Sequence, residues 1–183
     1  LEHLGKVAPS CHKLRTVLFG SLPKLNTITG SFTDCPQLRR IDFSGLQGLQ
    51  QFGSDVLTCF SPQESSDVEV TIGNLPHLAS IGRKFCSGLG VTKLDISGCT
   101  ALDTLHDHFA ADCLHLQHLV LKDLPCLRQI GDSFAANAVS LVTVEIGSMP
   151  LEQIGSNFLA DTPALLQLDL GGLRGTNVNV MDG

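Results

Sequence analysis

One pattern, returning about every two dozen residues, limits this chain to a stacked architecture. The segment Cys35-Pro-Gln-Leu38-Arg-Arg-Ile41-Asp-Phe43 recurs in altered form from one end to the other. Its central apolar residue falls at Val17, Ile41, Val70, Leu94, Leu119, Val144 and Leu168, at successive spacings of 24, 29, 24, 25, 25 and 24. The five extra residues of the long interval lie in a polar stretch, Ser61 to Asp67, that reads as an insertion over 60–67. A fixed period of this length marks a repeat protein, in which no unit buries its apolar face alone and neighbours supply the core.

Other columns keep the same beat. Two residues after each centre stands Phe19, Phe43, Ile72, Ile96, Leu121, Ile146 or Leu170, the period-2 alternation of a short strand with one buried face. Three further on comes Leu22, Leu46, Leu75, Cys99, Leu124, Met149 or Leu173, and proline follows at Pro23, Pro76, Pro125 and Pro150 to end the strand. A Leu-x-x-Ile pair comes next, as in Leu78/Ile81 or Leu127/Ile130, then often a glycine (Gly53, Gly82, Gly131, Gly155) suited to a bend with unusual backbone angles. Four residues beyond the pair sits Phe32, Val56, Phe85, Phe109, Phe134 or Phe158, a spacing that predicts one turn of short helix, with Ser31, Asp55 or Asp132 as its cap.

The strand segments Leu38-Arg-Arg-Ile41-Asp-Phe43, Leu116-Gln-His-Leu119-Val-Leu121 and Leu165-Leu-Gln-Leu168-Asp-Leu170 resemble the Leu-x-x-Leu-x-Leu of the leucine-rich repeat superfamily. Cys35-Pro-Gln-Leu-Arg-Arg-Ile-Asp-Phe-Ser-Gly and Leu94-Asp-Ile-Ser-Gly-Cys99 look like its cysteine-containing, F-box-associated repeats. Ile130-Gly-Asp-Ser-Phe134 and Ile154-Gly-Ser-Asn-Phe158 look like its Ile-Gly-x-x-Phe repeats of bacterial and protozoan surface proteins. The usual asparagine after the strand is replaced here by Leu, Cys or Met, and Asp67 stands where the third unit should have Leu. The resemblance implies an α/β fold, a right-handed solenoid with its parallel sheet on the concave face and short helices or 3-10 turns on the convex face. One array of about seven units over 1–175 is expected, followed by a tail at 176–183. Because Leu1-Glu-His-Leu4-Gly opens in mid-repeat and no polar capping repeat closes the chain, further repeats or a capping domain are expected beyond it.

Strand residues that alternate with the buried ones would face a partner. One outward column is Leu18, Asp42, Thr71, Asp95, Val120, Glu145 and Asp169; the other is Thr16, Arg40, Glu69, Lys93, His118, Thr143 and Gln167. The binding set expected from them is Arg39, Arg40, Asp42, Lys93, Asp95, His118, Glu145, Gln167 and Asp169. The same residues also suit the plain outward positions of a half-exposed sheet, neutralising one another across strands.

Composition narrows the partner. With 43% apolar and 16% charged residues the chain has enough apolar surface to fold, and its net charge of −6 speaks against nucleic acid. No apolar run approaches the roughly 20 residues of a membrane span. Seven cysteines, mostly at a repeating core position, point to reduced thiols and an intracellular, cytoplasmic chain, with the surface of a microbe or protist as the alternative.

His106, His108, Cys113, His115 and His118 invite a metal reading, but the repeat register spreads them over different faces and makes Cys113 a packed core thiol. No cofactor loop or paired catalytic carboxylates are found. The expectation is a non-catalytic protein-interaction scaffold. The substrate-recognition part of a ubiquitin ligase or other multidomain enzyme, or a cell-surface recognition array, stands behind it.

Overall fold

Where the apolar columns fall, strands form, and each coil forms two of them. The computed structural model describes residues 1–59 and 68–173, and the backbone of 179–180. The expectations placed on 60–67, and most of those on 176–183, fall outside these residues.

In chain order the strands are β1 (His3–Gly5), β2 (Thr16–Leu18), β3 (Thr27–Thr29), β4 (Arg40–Asp42), β5 (Gln51–Phe52), β6 (Glu69–Thr71), β7 (Ser80–Ile81) and β8 (Lys93–Asp95). They continue as β9 (Thr104–Leu105), β10 (His118–Leu121), β11 (Gln129–Ile130), β12 (Thr143–Ile146), β13 (Gln153–Ile154), β14 (Gln167–Asp169) and β15 (Asn179–Val180). All pair in parallel with their neighbours. The even-numbered strands carry the Leu-x-x-Leu-x-Leu segments and make a three-stranded piece, β2-β4-β6, and a four-stranded piece, β8-β10-β12-β14. The odd-numbered strands, at the Leu-x-x-Ile ends, make one continuous eight-stranded sheet. Register holds column to column: Ile41 pairs with Val17 and Val70, and Leu119 with Leu94 and Val144.

Between the two sheets lies the core. From Leu25 to Ile154 nearly every column residue is buried, including Leu38, Ile41, Leu94, Leu119 and Val144. At the edge strands the columns open: Val17 on β2 and Phe19 just after it are half-buried, while Leu168 on β14 and Leu170 just after it are 42% and 41% exposed. The phenylalanines form a file of rings through the middle. Phe85, Phe109, Phe134 and Phe158 stack with centroids 5.2–5.8 Å apart and planes within 11° of parallel. Where Val56 takes the phenylalanine place, Phe52 supplies the ring from the neighbouring column, 4.9 Å from both Phe43 and Phe85.

The short convex helices expected from the four-residue spacing are not there. The one helical element among the described residues is a 3-10 turn at Gly171–Leu173. In their place stands a ribbon in which alternate residues are left-handed: Lys84 and Cys86 with Gly88, His108, Ala110 and Asp112, Ser133, Ala135 and Asn137 all have φ between 48° and 72°. Alternation of hand sends successive left-handed N–H groups to the coil after and the coil before. Lys84 N–H donates to Asp107 O (2.9 Å), Cys86 N–H to Val56 O (3.1 Å) and Gly88 N–H to Ala111 O (2.8 Å). The ribbon is thus a third inter-coil ladder, satisfying backbone groups that a one-turn helix would leave bare. The expected caps serve the stack instead: Ser31 Oγ accepts Val7 N–H at 3.2 Å, and Asp132 Oδ1 accepts Ser156 N–H at 2.8 Å.

A left-handed conformation costs an L-residue about 1–2 kcal/mol, so exposed non-glycine members of the ribbon are suboptimal. Lys84 is exposed and has φ 59°. Lys84→Gly is expected to raise stability by about 1 kcal/mol, read as a higher urea midpoint at unchanged slope.

Candidate functional site

The outward columns of the even-numbered strands come together as two files. Arg40 stands between Thr16 and Glu69; Lys93, His118, Thr143 and Gln167 are successive partners. In the second file Leu18, Asp42 and Thr71 are aligned, then Asp95, Val120, Glu145 and Asp169. Arg40, Lys93, Asp95, His118, Gln167 and Asp169 are exposed, and Asp42 and Glu145 half-buried. Arg39 stands apart from the files. It precedes β4, is half-buried, and its guanidinium donates to Leu38 O at 3.2 Å.

Much of the charge is matched within the face. Arg40 meets Glu69 across strands at 3.2 Å and Asp42 at 3.9 Å; Lys93 meets Asp95 at 3.6 Å. Glu145 is held by Lys122 at 2.5 Å, and the Glu145 carboxylate raises the ammonium's pKa. Such exposed pairs are individually worth about 0–1 kcal/mol, so they set the pattern of charge more than the stability. His118 Nδ1 lies 2.8 Å from Thr143 Oγ1.

Three of the aspartates also close their own strand ends. Asp42 accepts the N–H and hydroxyl of Ser44 at 2.9 and 2.6 Å, Asp95 the N–H of Ser97 at 3.0 Å, and Asp169 the N–H of Gly171 at 2.9 Å. The Ser44 hydroxyl, with its N–H and Arg40 adding to it, holds the Asp42 carboxyl below the usual range. Burial pushes Asp95 up, but the bonds from Ser97 and Lys93 outweigh it and leave that carboxyl lowered too. Sequence reasoning missed this role, although Asp-x-Ser or Asp-x-Gly just past a strand is the signal of an Asx turn. It also left Glu69 and Lys122 out of the site.

The histidine-rich segment does not converge. His118 lies on β10 among the outward files, while His106 follows β9 on the continuous sheet and His108 begins the ribbon. Asp107 between those two pairs with Arg83 at 3.0 Å and accepts Asp132 N–H at 3.1 Å. Among the described residues no three His, Cys, Asp or Glu side chains are grouped to hold a metal ion. Cys113 is fully buried, its S–H donates to Cys86 O at 3.0 Å, and burial pushes its thiol up to about 12. Cys86, also fully buried, is raised as well. Cys126 is exposed. Iodoacetamide should therefore label Cys126 in the native protein and spare Cys86 and Cys113 until denaturant is added, as peptide mass spectrometry would show.

Two short parallel strands per coil, stacked column on column over buried leucines, decide the architecture. The chain is a parallel β-solenoid. No family model matches it. It is similar to Protein SUPPRESSOR OF npr1-1, CONSTITUTIVE 1 of Arabidopsis thaliana, 29% identical over 101 residues, covering 47% of this chain and 7% of that protein. The chain thus spans a small fraction of the curated relative it matches. A leucine-rich repeat protein from Bacteroides ovatus ATCC 8483 aligns over 100% of this chain and 76% of its own, at 14% identity and a TM-score of 0.33. At that score the two backbones do not superpose closely, and the fold rests on this chain's own register and burial. No helix among the described residues is long and apolar enough to cross a membrane.

Proposed function

We propose that the face of the even-numbered strands binds a protein partner and that the solenoid is a non-catalytic interaction module. One observation carries the reading: two files of mixed charge, in register over β4 and β6 and again from β8 to β14, present exposed or half-buried side chains on one side of the coils. Rigid strands hold these groups at a fixed inter-strand spacing of about 4.8 Å, so a partner of complementary charge meets a preset pattern. Arg39, Arg40, Asp42, Lys93, Asp95, His118, Glu145, Gln167 and Asp169 form the contact set. A net charge of −6 favours polypeptide over nucleic acid as the partner. Buried thiols such as Cys86 and Cys113 fit a reducing, intracellular setting.

The test uses a variant that leaves the Asx turns intact: Lys93→Glu, Glu145→Lys and Gln167→Lys together. Affinity capture from native lysate with quantitative mass spectrometry should show partners held by the wild type and lost by the variant, with equal unfolding midpoints. The same partners held equally by both would remove this face from the function.

A further inference from the structure

Charge is not spread evenly along the array. Residues 1–33 hold four cations, Lys6, Lys13, Arg15 and Lys24, against the single carboxylate of Glu2. All four are exposed, and among the described residues none of them takes part in an ion pair. Between β6 and β14 the cations other than Lys84 are matched: Arg83 by Asp107, Lys93 by Asp95, Lys122 by Glu145, and Arg128 by Asp103 and Glu152. Residues 129–173 then carry five carboxylates and no Lys, Arg or His.

Two of the unmatched cations meet more of their own sign where β2 begins. Arg15 stands just ahead of β2 as Arg39 stands just ahead of β4, and Arg15 O accepts the N–H groups of Arg39 (2.8 Å) and Arg40 (3.1 Å). The arginines at 15 and 39 are thus neighbours, one step outside the ladder in which Thr16 pairs with Arg40. Their column runs on as Val68, Thr92, Gln117, Val142 and Leu166, with no carboxylate in it. Lys13 adds a third cation two residues before Arg15, and its equivalent one coil on is the uncharged Gln37. Arg40 lies beside them but is taken by Glu69 and Asp42. Like charges opposite each other on adjacent strands lower stability, so this grouping does not serve the fold. On the same strand Leu18, in the outward file, is 68% exposed.

We infer that the β2 end of the even-numbered face seats an acidic polypeptide segment, with its carboxylates on Lys13 and Arg15 beside Arg39 and an apolar side chain against Leu18. This rests on the reading of that face as a protein-binding surface, and gives the partner a chemistry and a direction. A carboxylate meets a guanidinium through two parallel hydrogen bonds, and it would relieve the repulsion between neighbouring arginines. The other end of the face disfavours such a segment: Asp169 lies there, and Lys122 answers only Glu145. From β2 to β14 is six strand steps, about 29 Å at about 4.8 Å each. An acidic segment held at one end of that length fixes which way a longer partner lies.

The probe is the capped peptide Glu-Glu-Leu-Glu-Glu, set against Gln-Gln-Leu-Gln-Gln, titrated into the full chain and followed by amide NMR shifts. The acidic peptide should move the signals of Thr16, Leu18 and Arg40 and leave those of Glu145 and Asp169 in place. The glutamine peptide should bind at least about tenfold more weakly. Lys13→Gln with Arg15→Gln should weaken the acidic peptide by at least about tenfold, with an unfolding midpoint no lower than that of the wild type. Lys6→Gln with Lys84→Gln removes the same charge from the ribbon and should change its binding by less than about threefold. No binding, no preference for glutamate, equal losses in the two double variants, or shifts centred on β12 and β14 would overturn the proposal. If it is overturned while the Lys93, Glu145 and Gln167 variant still loses its partner, the acidic segment alone is wrong and the face stands. If the peptide behaves as expected while that variant keeps its partner, the face-wide contact set is wrong and the β2 end stands alone.

Discussion

Replacing Phe109 with alanine lowers the unfolding free energy by about 3–5 kcal/mol. The ring is fully buried and stands between Phe85, 5.8 Å away, and Phe134, 5.4 Å away, nearly parallel to both. Its removal therefore takes away the transfer free energy of a whole aromatic side chain and two ring contacts, each worth about 0.5–1.5 kcal/mol beyond burial. The neighbours cannot close in, because the odd-numbered sheet and the ribbon fix the coil spacing on both sides of the ring. Phe109→Leu should lose clearly less. Urea titration followed by circular dichroism measures both; an alanine variant within about 1 kcal/mol of wild type would mean that the file of rings is not a continuous support.

Gly82→Val should cost about 1–3 kcal/mol, the usual range for overpacking a filled site. The glycines after the Leu-x-x-Ile pairs were expected to serve a bend with unusual angles. The structure gives another reason: none of Gly53, Gly82, Gly131 and Gly155 has a positive φ, but a Cβ at each would strike the coil before it. At Gly82 that atom would lie 2.5 Å from the carbonyl carbon of Gly53. The column does admit side chains, at Thr29 and His106, but each has glycine on both sides: Gly5 and Gly53 around Thr29, Gly82 and Gly131 around His106. A valine at 82 would put side chains on adjacent coils, 82 and 106, where no adjacent pair now has them. The same substitution at an outward, non-glycine site of this sheet, such as Thr104→Val, should change stability by less than about 0.5 kcal/mol. Equal costs at the two positions would refute the close-approach account.

The period and the buried columns could be read from residue order alone, since Ile41, Leu94, Leu119 and their equivalents recur at nearly constant spacing and stacking makes spacing into contact. The ribbon could not be read that way. A separation of four, as from Ile81 to Phe85, belongs equally to one turn of helix and to a strand end followed by an alternating-hand segment. The distinguishing sign was present: Asp34, Gly88, Asp112, Asn137 and Asp161 recur at one place in the unit, and these residue types tolerate a left-handed backbone best. The same holds for the face. Outward columns follow from alternation, whereas the turning of Asp42, Asp95 and Asp169 onto their own strand ends depends on the residue two places on. The break between β6 and β8 leaves no pattern in the columns, because Val70 and Leu94 keep their places in the repeat on either side of it.

Stiffness in a stack of coils comes from the ladders that cross each junction. Elsewhere along the described array the even strands, the odd strands and the ribbon all cross together. Between β6 and β8 the even-strand ladder shrinks to the Val68–Val91 bridge, and the load passes mainly through the odd-numbered sheet at Ser80–Ile81 against Thr104–Leu105, the ribbon bonds of Lys84, Gly88 and Ala110, and the stacked pair Phe85 and Phe109. The compliance of the array is thus concentrated at one junction and biased to one side, with the odd-numbered sheet acting as the spine. Bending there changes the distance between Arg40 and His118 while leaving the spacing of groups within each piece untouched, so the curvature of the face is adjustable and its local pattern is not.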